Sequence, residues 1–294
     1  MDLSDHEFLA GVELADRTAV IAAHAPGQPA DRPQTTVLTC DPSGQWSRVA
    51  ALDHGTTSMA RSPDGTQALF CDMYGRITAW SPQGRRRLDV HRPQPEMPLP
   101  TLRCVDGVLY ALGLDHQVFA RRSGRWRALH GPELQQGDGV RGFNHALRLR
   151  DGRLLCLGVQ GALHAHGPQG WQALPRPTRL TLGCGIQEEE RLVVGGKCGS
   201  IFLGSPAALT RLEHQTTDED ILGIARFGDL TCVSTPLEIF TLDGEGLELE
   251  VFADGQSVAT VGPLFTGPSG IWSVGRRDVL RNDGEGWEII GQNW

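Results

Sequence analysis

The sequence predicts an all-β fold assembled from repeated copies of a four-stranded unit. Glycine and proline number 37 and 18 in 294 residues, about a fifth of the chain, which exceeds the usual content of globular proteins. Short apolar runs that alternate with polar residues recur between these turn residues, as expected for β-strands. A phrase made of an apolar stretch, a glycine turn and a second apolar stretch repeats along the chain. These observations predict many short strands joined by tight turns.

The repeated phrase has a period near 40 residues. It reads TVLTCDPSGQWSRVAAL near the start of the chain and DVLRNDGEGWEIIGQ near its end. Its turn falls at Gly44, Gly84, Gly124, Gly170, Ala208, Gly246 and Gly286. Successive turns are 40, 40, 46, 38, 38 and 40 residues apart, so seven units nearly fill the chain. This period, with four strands in each unit, is typical of a β-propeller.

Each unit contains four antiparallel strands, which we name A to D in chain order. Strand A is weakly marked, as in TLRCV, and strand B follows a short turn, as in VDGVLYALG. Strands C and D flank the glycine turn of the repeated phrase. One such sheet cannot bury both apolar faces, whereas a closed ring of sheets buries them all. We therefore predict a β-propeller of seven four-stranded blades in one domain, residues 1–294, with six blades as the alternative if the first unit is irregular.

The second unit resembles a WD-repeat blade. The matching residues are Ser62-Pro63-Asp64-Gly65 in the A–B turn, Asp72 and Gly75 in the B–C turn, and Trp80 near the end of strand C. The Gly-His and terminal Trp-Asp pairs of WD repeats are missing, so a buried Asp–His–Ser/Thr–Trp network is not expected. Other units are similar to sialidase-like and photosystem-assembly-factor-like repeats, with a tryptophan that opens strand D: Trp46, Trp126, Trp171 and Trp287. The resemblance implies a fold and not an activity.

Composition narrows the classes of function. The formal net charge of −8 argues against binding to the phosphate backbone of nucleic acids. No apolar run approaches the roughly 20 residues of a membrane span, and the N-terminal segment lacks the features of a signal peptide. We therefore expect a cytoplasmic protein that binds neither nucleic acid nor membrane. Its seven cysteines contain no Cys-x-x-Cys pair and are expected to be reduced and mostly buried.

Catalytic motifs are absent from the sequence. It contains no Gly-x-Ser-x-Gly elbow, P-loop, dinucleotide-binding fingerprint or HExxH motif. His164 and His166 are two apart on a predicted strand and point to one face, which suits a metal, but no third ligand is evident. We expect no catalytic residue, no metal and no cofactor. The alternatives are a propeller enzyme (glycosidase, lactonase or lyase) with a site at the channel mouth and a binder of sugars or other small ligands.

The longest predicted connections fall on one face. In propellers of this kind the D–A and B–C connections share one face, and the A–B and C–D turns share the other. Three long segments, AAHAPGQPADRPQ, VHRPQPEMPLP and HGPELQQGDGVRGFNH, belong to the first face. Binding residues collect on such loops. We predict a partner-binding site there, formed by His24, Asp31, Arg32, Asp72, Tyr74, His91, Asp115, His116, Glu133, Asp138, Arg141, Lys197, Asp218, Glu219, Asp220, Arg276 and Arg277.

These observations favour a non-catalytic propeller that binds another protein. A bacterial immunity protein that neutralises a toxin has this character, because it needs a rigid binding surface and no chemistry. The acidic net charge would suit a basic partner, since attraction between opposite charges accelerates association.

Overall fold

The computed structural model describes residues 1–24, 33–130, 134, 140–189, 191–244, 246–252 and 257–293. The strands form seven separate four-stranded antiparallel sheets, and each sheet uses four consecutive strands in the order A-B-C-D. The sheets are arranged in a ring, so the protein is a seven-bladed β-propeller, as predicted. The first unit forms a complete blade, and the six-bladed alternative is therefore wrong.

The strands have the following bounds. Blade one contains β1 Glu7–Glu13, β2 Ala19–His24, β3 Thr35–Cys40 and β4 Trp46–Leu52, and blade two contains β5 Ser58–Arg61, β6 Ala68–Cys71, β7 Ile77–Ser81 and β8 Gly84–Arg87. Blade three contains β9 Thr101–Val105, β10 Val108–Leu112, β11 Val118–Arg122 and β12 Arg125–Ala128, and blade four contains β13 Phe143–Arg148, β14 Leu154–Gly158, β15 Leu163–Gly167 and β16 Gly170–Ala173. Blade five contains β17 Leu182–Gln187, β18 Leu192–Gly196, β19 Ile201–Ser205 and β20 Ala208–Arg211, and blade six contains β21 Gly223–Phe227, β22 Leu230–Ser234, β23 Ile239–Asp243 and β24 Gly246–Leu249. Blade seven contains β25 Leu264–Gly267, β26 Gly270–Val274, β27 Asp278–Asn282 and β28 Trp287–Gln292, and one short 3₁₀ turn spans Val159–Gly161.

Burial changes across each blade. Every residue of β6, β14, β18 and β26, which are B strands, is buried. All four residues of the D strand β8 are exposed. A strand that is covered on both faces needs an uninterrupted apolar sequence, which explains the runs in strand B. The A strands of successive blades contact each other and line the central channel, while the D strands form the outer rim.

The apolar core is divided into seven clusters, one in each space between consecutive blades. The cluster between the last and first blades includes Phe8 and Ile21 from blade one and Trp272 and Val279 from blade seven. Among the strands of the described residues, none is exchanged between these two blades. The ring is therefore closed by side-chain packing and hydrogen bonds.

Glu13 stabilises the contact between blades one and seven. Its carboxylate is 1% exposed and accepts hydrogen bonds from the backbone nitrogen of Ser269 at 2.9 Å, from the Ser269 hydroxyl and from Trp272 Nε1 at 3.0 Å. Three donors from blade seven thus compensate for burial of one charge from blade one. This buried contact therefore joins the first blade to the last blade.

Blade two contains a buried histidine in its D–A connection. The ring of His54 places Nε2 2.8 Å from Thr78 Oγ1 and Nδ1 2.7 Å from the Gly55 carbonyl. Burial lowers the pKa of His54, which keeps the ring neutral. This hydrogen bond connects the residues before strand A to strand C of the same blade.

The cysteines are all free thiols. Five of them are buried, as predicted, namely Cys40, Cys71, Cys156, Cys184 and Cys232. Cys104 is partly buried and Cys198 is exposed in the B–C connection of blade five. Burial raises the pKa of Cys40 to about 11, so this thiol is protonated at neutral pH and packs as a small apolar group.

Candidate functional site

The thirteen described candidate residues all lie on one face of the ring. We call the face formed by the D–A and B–C connections the loop face and the face formed by the A–B and C–D turns the turn face. Four further candidates, Asp31, Arg32, Glu133 and Asp138, lie outside the described residues.

The ends of the chain form a polar cavity of about 470 Å³ on the loop face, between blades one and seven. His24, Arg276 and Arg277 line it together with His6 and Glu7. Arg276 Nε donates to Glu7 Oε1 at 2.5 Å, and this hydrogen bond raises the pKa of Arg276. His24 Nδ1 lies 3.0 Å from the Gln34 carbonyl. Three predicted residues therefore share one cavity.

Asn293 holds the same cavity together. Its Nδ2 donates to the Arg276 carbonyl at 3.0 Å, and its backbone nitrogen donates to the Arg277 carbonyl at 3.0 Å. Arg277 in turn donates its backbone N–H to Thr260 Oγ1 at 2.8 Å. The side chains of Arg276 and Arg277 remain exposed. The cavity thus presents two guanidinium groups on a fixed backbone.

Asp72 shapes the B–C turn of blade two. Its buried carboxylate accepts backbone hydrogen bonds from Tyr74 and Arg76, both at 2.8 Å, and a side-chain hydrogen bond from Arg76 Nε at 2.5 Å. Both carboxylate oxygens of Asp72 therefore accept hydrogen bonds from within the turn. The effect is to project Tyr74, whose side chain is half exposed, outward from the loop face.

Arg92 ties this turn to the next blade. Its Nη1 donates to Gln117 Oε1 at 2.9 Å, and its Nη2 donates to the carbonyls of Tyr74 and Pro95, each at 3.0 Å. The connection 88–100 is therefore anchored across blades two and three. His91, which belongs to the predicted partner-binding site and precedes Arg92, is exposed on the same connection.

The candidates between blades three and four face in two directions. Asp115 pairs with Arg141 at 3.2 Å near the surface. His116 is buried, and its ring stacks on Phe143 at 4.5 Å between centroids and lies 5.1 Å from the ring of His164. Burial lowers the pKa of both histidines, that of His164 to about 4. His116 therefore packs the space between two blades.

An acidic corner lies between blades five and six. Asp220 forms an ion pair with Lys197 and accepts the backbone N–H of Cys198 at 3.1 Å. The hydrogen bond from Lys197 lowers the pKa of Asp220. Asp218 and Glu219 are exposed beside this pair. The corner presents the carboxylates of Asp218 and Glu219 to solvent, next to the Asp220 carboxylate, whose charge is balanced by Lys197.

Most of the strongly exposed apolar side chains lie in loop-face connections. Nine large apolar residues of the described chain are strongly exposed, and six belong to loop-face connections: Met73, Tyr74, Val140, Leu180, Leu237 and Val251. The others are Met1 at the N-terminus and Val49 and Leu249 on outer D strands. Among the described residues, none of the nine lies in a turn-face connection. The six loop-face residues lie in five different connections, between blade two and blade seven.

No protein-family model matches the chain. Over 191 residues it is 28% identical to the Immune protein Tsi7 of Pseudomonas aeruginosa, a match that covers 64% of this chain and 62% of that protein. The chain thus aligns with less than two thirds of the length of this relative.

Several solved structures share the fold over nearly the whole chain. Virginiamycin B lyase from Staphylococcus aureus has a TM-score of 0.71 at 12% identity, with 94% of each chain covered. The YCF48 structure with a bound D1 peptide has a TM-score of 0.68 at 14% identity, covering 94% of this chain and 93% of that one. The WD40 repeats of RRP9 have a TM-score of 0.65 at 16% identity, covering 97% and 93%. These similarities establish the propeller architecture alone.

Within the described part of the chain, no group of three or more His, Cys, Asp or Glu side chains is arranged to hold a metal ion. The same part contains no helix with the length and apolarity needed to cross a membrane.

Sequence reasoning missed His6, Glu7, Arg92 and Asn293. Glu7 and Asn293 are separated by almost the entire chain and approach only because the ring closes, so no local pattern marks them. Arg92 was within reach of the sequence, because it lies in the proline-rich connection whose neighbour His91 was selected. Exposure of apolar loop residues such as Leu237 depends on the tertiary fold, and no sequence signal reveals it.

Proposed function

We propose that this chain is an immunity protein that binds a toxin through its loop face and neutralises it without catalysis. Residues 1–294 would act as a single binding domain in the cytoplasm of a bacterium. The location of six of the nine strongly exposed apolar side chains in loop-face connections of the described chain is the main support for this proposal. The 28% identity to Immune protein Tsi7 supports the immunity role.

The composition of the face suits a protein partner. Protein interfaces combine apolar and aromatic anchors with a polar rim. Tyr74 and Leu237 are such anchors, and Asp218, Glu219 and Arg277 supply charge around them. Ion pairs such as Asp115–Arg141 and the bonds of Arg92 hold the connections in place before binding. A preorganised surface loses less conformational entropy on association.

We infer that the partner presents a basic surface to the acidic corner. Asp218 and Glu219 are exposed there, and the whole chain has a net charge of −8. Opposite charges on the two proteins would raise the association rate at low salt. Arg276 and Arg277 would face a smaller acidic or polar element of the same partner.

Co-expression tests this function. Toxin and immunity proteins are encoded together, so the protein encoded by the neighbouring gene is the candidate toxin. We expect its expression alone to arrest growth of a heterologous bacterium, and co-expression of this chain to restore growth and give a stoichiometric complex on size-exclusion chromatography. Growth arrest that persists despite soluble expression of this chain, with no complex, would contradict the proposal.

A further inference from the structure

The central channel contains a cavity of about 450 Å³ that is separate from the loop-face site. It is lined by the A strands β1, β5, β9 and β25, and it reaches residues 62–63 and 106–107 of two A–B turns. The cavity therefore extends toward the turn face. The proposed partner-binding face lies at the other end of the ring.

Two arginines line this cavity, Arg61 on β5 and Arg103 on β9. Arg103 Nε is shielded from solvent and has no hydrogen-bond partner among the residues that the structure describes. Burial lowers the pKa of Arg103, and the nearby Cys184 thiol, which burial keeps protonated, supplies no negative charge. A partly buried guanidinium that pairs with no carboxylate of the described chain is stabilised by a bound anion.

The acidic residues of the cavity are already engaged. Glu13 accepts three hydrogen bonds from Ser269 and Trp272. Asp106 accepts a hydrogen bond from Arg148 Nε at 2.9 Å. Within the described chain, neither carboxylate pairs with Arg103. Of the hydroxyl groups in the lining, those of Thr57 and Thr266 donate to backbone carbonyls. Ser58 Oγ accepts the Leu102 N–H at 2.8 Å, and its own proton can be donated to an anion.

His145, a histidine near Arg103, adds no charge to the cavity wall near pH 7. His145 on β13 places Nε2 2.9 Å from the Gly185 carbonyl, so Nε2 carries the proton and donates. Burial and then the charge of Arg103 lower the pKa of His145 to about 3. The ring is neutral near pH 7, and its shielded Nδ1 has no hydrogen-bond partner within the described chain.

We propose that the channel cavity binds a small oxyanion of the phosphate class, with Arg103 as its principal ligand and Arg61 as the second cationic group. The planar guanidinium fork matches the oxygens of a phosphate group. Inorganic phosphate carries between one and two negative charges near neutral pH, which two arginines can balance. The hydroxyl group of Ser58 is a further donor at the cavity wall.

Calorimetric titration with inorganic phosphate, at ionic strength matched with potassium chloride, tests this site. We expect one phosphate per chain and a rise in Tm with phosphate concentration, because a ligand of the native state stabilises it. Arg103→Gln should weaken phosphate binding at least tenfold. Arg125→Gln is the matched control, because Arg125 is exposed on the outer strand of the same blade, and it should bind phosphate as the wild type does.

Arg103→Gln should also melt no lower than the wild type in phosphate-free buffer, since it removes a partly buried charge whose Nε has no partner among the described residues. If this variant fails to fold, the ring resonances of His145 in the wild-type protein provide a second test. They should shift on addition of phosphate with the same saturation as the calorimetric titration. Absence of saturable phosphate binding, equal binding by Arg103→Gln, or unmoved His145 resonances would each overturn the proposal.

Discussion

His145 is a histidine that its surroundings keep neutral. It lies on the channel-lining strand β13, and burial together with the nearby charge of Arg103 lowers its pKa from 6.5 to about 3. Its Nε2 hydrogen bond to the Gly185 carbonyl is compatible with the neutral ring. Protonation of this residue is therefore easier in the unfolded chain than in the folded protein.

Folding stability should consequently depend on pH through His145. Above pH 6.5 the ring is neutral in both states, and as the pH falls toward 3 only the unfolded state gains the proton. The contribution of His145 to the free energy of unfolding therefore decreases as the pH falls below 6.5. Urea unfolding should show a loss from this residue on the order of 2 kcal/mol between pH 6.5 and pH 4.5.

The variant His145→Gln should flatten this pH dependence, because glutamine cannot take up the proton. His91→Gln is the control, since His91 is exposed on a loop-face connection, and it should keep the wild-type slope. An identical pH slope in His145→Gln and the wild type would show that His145 does not control the acid response.

At the residue scale, the sequence could predict which polar residues lie on the loop face but not which of them are free to bind. Asp72 and Tyr74 were chosen for the same reason, yet Asp72 is buried in its turn while Tyr74 is half exposed. His116 has φ of 52° and turns its ring into the space beside Phe143. Side-chain direction depends on the neighbouring blade, which local sequence does not encode.

Three of the four tryptophans that open strand D link their own blade to the blade before it. Trp126 Nε1 donates to the Leu88 carbonyl at 2.6 Å and Trp171 Nε1 to the Leu129 carbonyl at 2.8 Å. Trp46 Nε1 closes the ring in the same way, with the Ile290 carbonyl at 2.9 Å. The indole of Trp287 is buried, but its Nε1 has no hydrogen-bond partner in the part of the chain that the structure describes.

This difference yields a matched pair of variants. Trp126→Phe keeps an aromatic ring but removes the bond to Leu88, and should lower the free energy of unfolding by about 1 kcal/mol. Trp287→Phe removes a shielded N–H that has no described partner, and should cost less or be neutral. Urea unfolding of both variants measures the difference. A loss for Trp287→Phe equal to that for Trp126→Phe would contradict this role of the indole nitrogen.

At the element scale, the sequence predicted most of the architecture, because each strand carries its own pattern and each turn its own glycine. The spacing of Gly84, Gly124 and the other turn residues therefore located the C–D hairpins correctly. The indole bonds between blades could not be predicted in this way. Blades two, five and six have no tryptophan in strand D. In blade five Leu209 takes this position and packs against the apolar cluster between blades four and five, so the position tolerates apolar packing alone.

At the scale of the whole molecule, ring closure creates features that no repeat contains. Each blade is made from a continuous stretch of chain, so the contact between blades one and seven depends on noncovalent bonds such as those of Glu13. The same closure assembles the cavity around Glu7 and Arg276. The period of the repeat predicted seven blades, but contacts between residues at opposite ends of the chain required the structure.

The central claim is that the loop face binds the partner protein, and two leucines of blade six allow a direct test. Leu237 lies on the loop face and is 63% exposed, whereas Leu249 lies on the outer strand β24 and is 51% exposed. Both substitutions to aspartate place a charge on an exposed leucine of the same blade. Only the first should introduce that charge into the interface.

The decisive measurement is the calorimetric affinity of the neighbouring-gene protein for the wild type, Leu237→Asp and Leu249→Asp. We predict that Leu237→Asp weakens binding at least tenfold, about 1.4 kcal/mol, and that Leu249→Asp binds within twofold of the wild type. Unchanged affinity in Leu237→Asp, or a loss confined to Leu249→Asp, would contradict binding through the loop face.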